Sequence, residues 1–478
     1  MAHVFFASLI AAAVSVGQAA ILADEVKNLP GWSKALPSPW FSGYLSFGKK
    51  HLHYVFVRAI ENSEHAPVVL WMNGGPGCSS MDALFYEHGP LLVSENGSKL
   101  VENPYTWTKL ANVLYLEAPV GVGYSYSDDQ ADTKKLTDDI TATDNLQALK
   151  EFFKGFPELK GNPFYVTGES YGGVYVPTLS MKIFEDASVD WNMKGFAVGN
   201  GVFDWKLMQQ SHIPFLYGHG AISSRTMSEL NEACKGDYIN VSAKCKDLLS
   251  AVEEKTTGLN FYDYYRDCYP SAEMGKLLTG PRLAKEPDLY QEVIKAPRPP
   301  HPALRAGLGE DVLCIDSVGG TTYLGKAEVR AALHIAPSLG AWEICTSKIT
   351  YQRDMSYSAP VLYKAMKDKY KILVYNGDAD MACDYVADSW AVDMVNATVD
   401  SKMDWVPWTL QKGAGKQVAG FVTKYMTQPG MHFITVKGAG HMVPQWKPQE
   451  ALEMLSRFLN DRNMADGSSH ASIVLTVV

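Results

Sequence analysis

Phe164-Tyr165-Val166-Thr167-Gly168-Glu169-Ser170-Tyr171-Gly172-Gly173 decides how the rest of the chain is read. The apolar run 164–166 reads as a buried strand, and residues from Val174 onward can form a helix. Between them lies Gly168-x-Ser170-x-Gly172. Strand, Gly-x-Ser-x-Gly and helix together are the context of a nucleophile elbow. Side chains at 168 or 172 would collide with the neighbouring strand or helix. The sharp turn lifts the Ser170 hydroxyl clear of the sheet and aims a helix N-terminus at it.

Outward from the elbow, the runs 68–72, 113–116, 195–198, 371–375 and 432–436 read as further buried strands. They end in Asn73-Gly74-Gly75-Pro76-Gly77, Glu117-Ala118-Pro119-Val120-Gly121, Gly199-Asn200-Gly201, Asn376-Gly377-Asp378-Ala379-Asp380 and Gly438-Ala439-Gly440-His441. Residues 40–59 read as a hairpin turning at Gly48-Lys49-Lys50. Ala142, Leu146, Leu149 and Phe153 form one stripe of a helix over 139–153. Leu452, Leu455 and Leu459 do the same over 448–459, with Pro448 in the first turn. Such alternation predicts an α/β protein, a mostly parallel sheet flanked by helices, with its sites at the C-terminal edge of the sheet.

The rhythm breaks between 202 and 330. That segment holds four of the seven cysteines and the run Lys295-Ala296-Pro297-Arg298-Pro299-Pro300-His301-Pro302, which cannot form a regular element. It reads as an inserted, mainly helical cap. Its stretch 271–312, with Arg282, Lys285, Lys295, Arg298 and Arg305, is a candidate for nicking or excision. The core then has two parts, 21–201 and 331–462, followed by a tail, 463–478.

Apolar residues make up 46% of the 478 and charged residues 20%, which suits a folded globular chain; the formal net charge of −9 argues against nucleic acid or anionic membrane as partners. Residues 1–20 read as a signal peptide cleaved after Ala19 or Ala20, and no later run is long enough for a membrane anchor. Sequons at Asn96, Asn240 and Asn396 agree with entry to the secretory pathway, ending in the lysosome or outside the cell. Seven cysteines in an oxidising lumen allow three pairs and one free thiol.

Ser170, Asp380 and His441 thus stand on loops after three strands, in the order of an α/β-hydrolase. Serine attacks a carbonyl, histidine takes its proton, and the acid fixes the imidazole tautomer and steadies its positive charge. From spacing alone Asp378 and Asp384 compete with Asp380.

The chain resembles the serine carboxypeptidases. The motifs that carry the resemblance are Trp71-Met72-Asn73-Gly74-Gly75-Pro76-Gly77-Cys78-Ser79-Ser80, the elbow, Tyr375-Asn376-Gly377-Asp378-Ala379-Asp380-Met381-Ala382-Cys383, and Gly438-Ala439-Gly440-His441-Met442-Val443-Pro444. It runs from about Leu29 to Asn460. It implies an α/β-hydrolase fold, peptide substrates with a free C-terminus, and neither metal nor cofactor. It selects Asp380 as the acid and gives the oxyanion hole to the backbone N–H groups of Gly75 and Tyr171. Asn73, Gly74, Glu87 and Glu169 match positions that hold the substrate carboxylate. Two acids can do this only when protonated or sharing protons with the ligand. Unperturbed values, about 4.3 for Glu and about 6.5 for His, leave no window in which glutamate holds a proton and histidine does not. Burial and like charge must therefore raise the glutamates, which predicts activity that is best in acid. The resemblance further implies disulfides Cys78–Cys345, Cys234–Cys245 and Cys268–Cys314, a free thiol at Cys383, and a homodimer. Met381 and Met442, beside acid and base, suggest an apolar pocket and a preference for hydrophobic residues. Two other readings keep the fold: an acyltransferase, and a protective partner of lysosomal glycosidases that need not be catalytic.

Overall fold

The computed structural model describes residues 23–94, 96–268, 314–315 and 317–465. Residues 1–20, expected to be a signal peptide, the stretch 271–312 and most of the tail 463–478 lie outside the described residues.

Twelve strands form one sheet among the described residues. Its centre is parallel, in the order Asn112–Leu116, Val68–Met72, Phe164–Ser170, Met193–Gly201, Lys371–Gly377 and Met431–Val436. Both flanks are antiparallel. Glu25–Val26, Trp40–Phe47 and Lys50–Val57 extend one side, and Gly415–Tyr425 and Val406–Lys412 extend the other. The hairpin 406–425 departs from the sequence expectation. It sits at a sheet edge where much of its surface faces solvent, so it lacks the continuous apolar run that marks the central strands.

Each central strand feeds two cores because successive side chains point to opposite faces. Val68, Leu70 and Met72 pack with Val166, Ile372 and Val374 against the helices Asp138–Gly155 and Gly172–Glu185. Val69 and Trp71 point the other way, with Tyr165, Leu373, Tyr375 and the helix Pro448–Leu459. This two-sided burial is why these strands read as unbroken apolar runs.

The inserted segment begins with three helices, Trp205–Gly218, Ser224–Cys234 and Ala243–Thr256. Asp204, Ser223 and Ser242 cap their N-termini by accepting from backbone N–H groups. They enclose a third apolar cluster, with Ile213, Phe215, Leu216 and Leu230, clasped by Cys234–Cys245. Disulfides also join Cys78 to Cys345 and Cys268 to Cys314, while Cys383 is free and buried.

Candidate active site

Ser170 ends its strand at φ +61°, a left-handed conformation that a non-glycine residue adopts at a cost. The turn is tight: a Cβ at Gly168 would lie 2.5 Å from the Met72 carbonyl oxygen and 3.1 Å from Val176. The helix Gly172–Glu185 follows at once. The loop after Val68–Met72 crosses directly over the elbow. A Cβ at Gly74 would lie 2.3 Å from the Tyr171 nitrogen and 2.7 Å from Ser170 Cβ, so the backbone at 74 can pass only as glycine. This close approach brings the 73–75 loop against the elbow at Ser170 and Tyr171.

It is Asp380 that meets His441: Oδ2 lies 2.8 Å from Nδ1. Asp380 also accepts from Ala382 N at 2.8 Å, Cys383 N at 3.2 Å and Asn200 Nδ2 at 2.8 Å, and it is fully buried. Both competitors are committed elsewhere. Asp378 accepts from Gly438 N at 2.6 Å and ties the acid loop to the base loop. Asp384 caps the helix Tyr385–Asp393 and accepts from Ser211 Oγ at 2.6 Å. Among the described residues, the His441 ring bonds to Asp380 and not to Ser170.

Beside the elbow, Asn73 donates through Nδ2 to Glu169 Oε1 at 2.9 Å and to Glu87 Oε1 at 3.4 Å. Its amide cannot flip without loss, because Trp71 Nε1 donates to Asn73 Oδ1 at 2.7 Å. Glu87 closes a short π-helical turn, Ala83–Glu87, which turns its carboxyl inward. The Oε2 atoms of Glu87 and Glu169 are buried and accept from no protein N–H or hydroxyl donor, and the two carboxyls are close enough to share a proton. Buried polar atoms are nearly always satisfied, so the hydrogen-bonding capacity left over on these two carboxyls suits a ligand that carries oxygen or nitrogen.

A family model described as serine carboxypeptidase matches residues 30–461. The chain belongs to the serine carboxypeptidase family. The lysosomal protective protein of Mus musculus is 39% identical over 452 residues, covering 91% of this chain and 94% of that one. Serine carboxypeptidase 1 of Hordeum vulgare is 35% identical over 91% of this chain and 92% of its own. Among solved structures, Kex1Δp, a prohormone-processing carboxypeptidase from Saccharomyces cerevisiae, superposes with a TM-score of 0.68 at 20% identity, covering 92% of this chain and 96% of that one, which bears on the fold.

This serine carboxypeptidase carries site residues that its sequence did not single out. Asp82 is the first. Its carboxyl and those of Glu87 and Glu169 lie within 4.8 Å of one another. Burial pushes Asp82 up to about 7, opposed by the nearby His441. Burial likewise raises Glu87 well above the ordinary range, with the charge of Asp82 adding to it; for Glu169 burial is again first, followed by Glu87 and Asp82. Asn200 is the second. Its Nδ2 donates to Asp380 and its Oδ1 accepts from Gly377 N at 2.9 Å, so it locks the acid loop. The third comes from the inserted segment. Tyr262 offers its carbonyl to His441 N at 2.7 Å and its ring, 5.0 Å away, to the imidazole. A capping box or a metal motif would have announced such residues. A lone acid or amide in a loop has no comparable signature.

Met381 and Cys383 are more enclosed than expected. Met381 joins the apolar cluster of the inserted helices and Cys383 the main core. Burial, then the charge of Asp380, pushes the Cys383 thiol well up, so it stays protonated and inert.

The carboxypeptidase should be more stable in acid than at neutrality. Asp82 and Asp384 are both raised to about 7 by burial, and Asp388 is raised as well. A carboxyl with a higher pKa folded than unfolded gives its full stabilisation below the unfolded value, about 4. That contribution is lost as the pH rises through the folded value. Calorimetry should find Tm falling by on the order of 5 °C as pH rises from about 4.5 to about 7.5. Asp384→Asn should flatten the slope. A Tm that climbs across the interval would contradict the assignment.

Proposed function

We propose that this protein releases C-terminal residues from peptides, in acid, through an acyl-enzyme on Ser170. One observation carries the reading: the buried carboxyls of Glu87 and Glu169 meet at Asn73, each keeping one oxygen free of any protein donor, directly beside Ser170. Asn73, the Gly74 N–H and the two glutamic acids donate to the terminal carboxylate, which sets the scissile carbonyl over Ser170.

Ser170 Oγ adds to that carbonyl while its proton passes to His441. Asp380 holds the proton on Nδ1 and leaves Nε2 free to accept. The negative charge moves to the carbonyl oxygen, where Gly75 N–H and Tyr171 N–H receive it. The C–N bond then breaks, and His441 returns the proton to the departing amine. Water repeats the sequence on the ester and frees the shortened peptide.

Three disulfides and the exposure of Asn96, Asn240 and Asn396 support maturation in the secretory pathway and glycosylation at these asparagines. Among the described residues no helix is long and apolar enough to cross a membrane.

The test is a matched pair of peptides, one with a free C-terminus and one amidated. At about pH 5 the free acid should be favoured at least about 100-fold in kcat/KM, because the amide leaves buried acids unpaired. Above the raised pKa of the glutamate pair, kcat/KM for the free acid should fall about tenfold per pH unit. The amidated peptide should show no such fall, and Glu169→Gln, which donates without titrating, should shift or flatten the limb. A flat profile from acid to about pH 8, or no preference for the free acid, overturns the reading.

A further inference from the structure

Tyr171 has two parts with different surroundings. Its backbone N–H is the proposed oxyanion donor, and its side chain is buried on the far side of the elbow. The Tyr171 hydroxyl donates to Asp138 Oδ1 at 2.8 Å, and the Tyr351 hydroxyl donates to the same oxygen at 2.8 Å. Asp354 N donates to Asp138 Oδ2 at 3.1 Å. The Arg353 guanidinium lies over the Tyr171 ring, 5.8 Å from its centroid, and the Tyr175 ring meets Tyr171 edge-on at 5.2 Å.

Asp138 opens the helix Asp138–Gly155, capped by Thr137. An acid there ordinarily complements the helix dipole. Asp139 next to it plays that part, paired with Lys182 on the surface. Asp138 is instead turned inward.

We propose that Asp138 is a positioning residue for the oxyanion hole: by gripping the Tyr171 hydroxyl it fixes the direction of the Tyr171 backbone N–H. The peptide unit between Ser170 and Tyr171 explains why a grip is needed. Its carbonyl oxygen accepts from Val202 N at 2.9 Å, which pins one end. Its other end is Tyr171 Cα, preceded by a residue at φ +61° and followed by a helix with no side-chain cap. The Tyr171 carbonyl accepts from Val174 N at 2.9 Å and Tyr175 N at 3.2 Å, and the buried side chain adds an anchor independent of the helix. Burial, and then the negative charge of Asp138, push its hydroxyl well above the ordinary range, so it remains a donor at every working pH.

The same brace reaches the second donor. Cys345 is bonded to Cys78, Ser79 N donates to the Ile344 carbonyl at 2.8 Å, and Thr346 N donates to the Gly77 carbonyl at 3.0 Å. Residues 344–354 therefore hold the loop that carries Gly75 at one end and Asp138 with Tyr171 at the other. Both donors are set against one segment.

This inference rests on the reading of Tyr171 N–H as an oxyanion donor. The test compares Tyr171→Phe, Asp138→Ala, their double variant, Asp138→Asn and the control Asp139→Asn. Active sites are counted with a serine-reactive phosphonate, so that misfolded protein does not enter kcat. Tyr171→Phe and Asp138→Ala should each lower kcat per titrated site about tenfold, with KM within about twofold. The full loss of one oxyanion donor costs more, about 10²–10³. A peptide aldehyde, which mimics the tetrahedral state, should weaken by the same factor as kcat. The double variant should be no worse than the poorer single, Asp138→Asn should recover part of the loss by keeping one acceptor oxygen, and Asp139→Asn should be unaffected. Wild-type kcat per titrated site in Tyr171→Phe and Asp138→Ala overturns the inference, as does an equal loss in Asp139→Asn. If Asp138→Ala does not fold, Tyr171→Phe decides. Failure of wild type to cleave free-acid peptides would instead strike the proposed function, and the two failures are separable.

Discussion

Replacing Ser170 with alanine is expected to lower kcat by about 10⁵–10⁶-fold on a free-acid peptide, with KM within about threefold. The size follows from the arrangement. Every other element of the site acts on the bond that Ser170 Oγ forms: His441 takes its proton, and the proposed donors receive the charge it displaces onto the carbonyl. Without the oxygen these elements act on bound water at best, which retains about 10³–10⁴ over the uncatalysed reaction. Binding should survive because, in the proposed mode, the terminal carboxylate is held by Asn73, Gly74, Glu87 and Glu169, none of which contacts the substrate through Ser170. Steady-state kinetics on freshly purified protein, with product affinity measured by calorimetry, gives both numbers. A loss under about 100-fold would mean that another group is the nucleophile.

Asp380→Asn should cost about 10⁴-fold in kcat while leaving the fold intact. Asp380 accepts four hydrogen bonds, from His441, Asn200, Cys383 and Ala382. Asparagine keeps one acceptor oxygen and brings two N–H donors. Either the amide faces Ala382 N, where donor meets donor, or it faces His441, Asn200 and Cys383. In the second orientation His441 must present Nδ1 as acceptor, so the proton moves to Nε2. The ring then points a proton at Ser170 and cannot act as base. The loss should shrink at high pH, where hydroxide substitutes for the base. An undiminished rate at pH 6 would show that tautomer control lies elsewhere. Asn200→Ala should give a milder version, since it frees the acid loop without changing the acceptor.

Much of this was legible before any coordinates, for physical reasons. Central strands are buried on both faces, so Val68–Met72 and the run 372–375 are almost wholly apolar and stand out. The final helix has the bounds expected, Pro448–Leu459, because proline suits its first turn and its leucines keep one face. The hairpin 406–425 was missed since an edge pair needs few apolar residues and tolerates Pro407 in its ladder. The roles of Asp82, Asn200 and Asp138 were invisible for a different reason. Asn200 meets Asp380 180 residues away and Asp138 meets Tyr171 33 residues away, and no local pattern encodes either meeting. For Asp138 the local pattern even misleads, because an acid in a helix's first turn is so ordinary.

The bond between Cys78 and Cys345 closes a span of 267 residues, and Cys268–Cys314 lies within it. A protease cutting once anywhere between 268 and 314 would therefore divide the polypeptide without dividing the molecule. Ser170 would travel on one fragment, Asp380 and His441 on the other, sewn together twice. On a gel such material would run as a single band until a thiol reagent was added, and then as two.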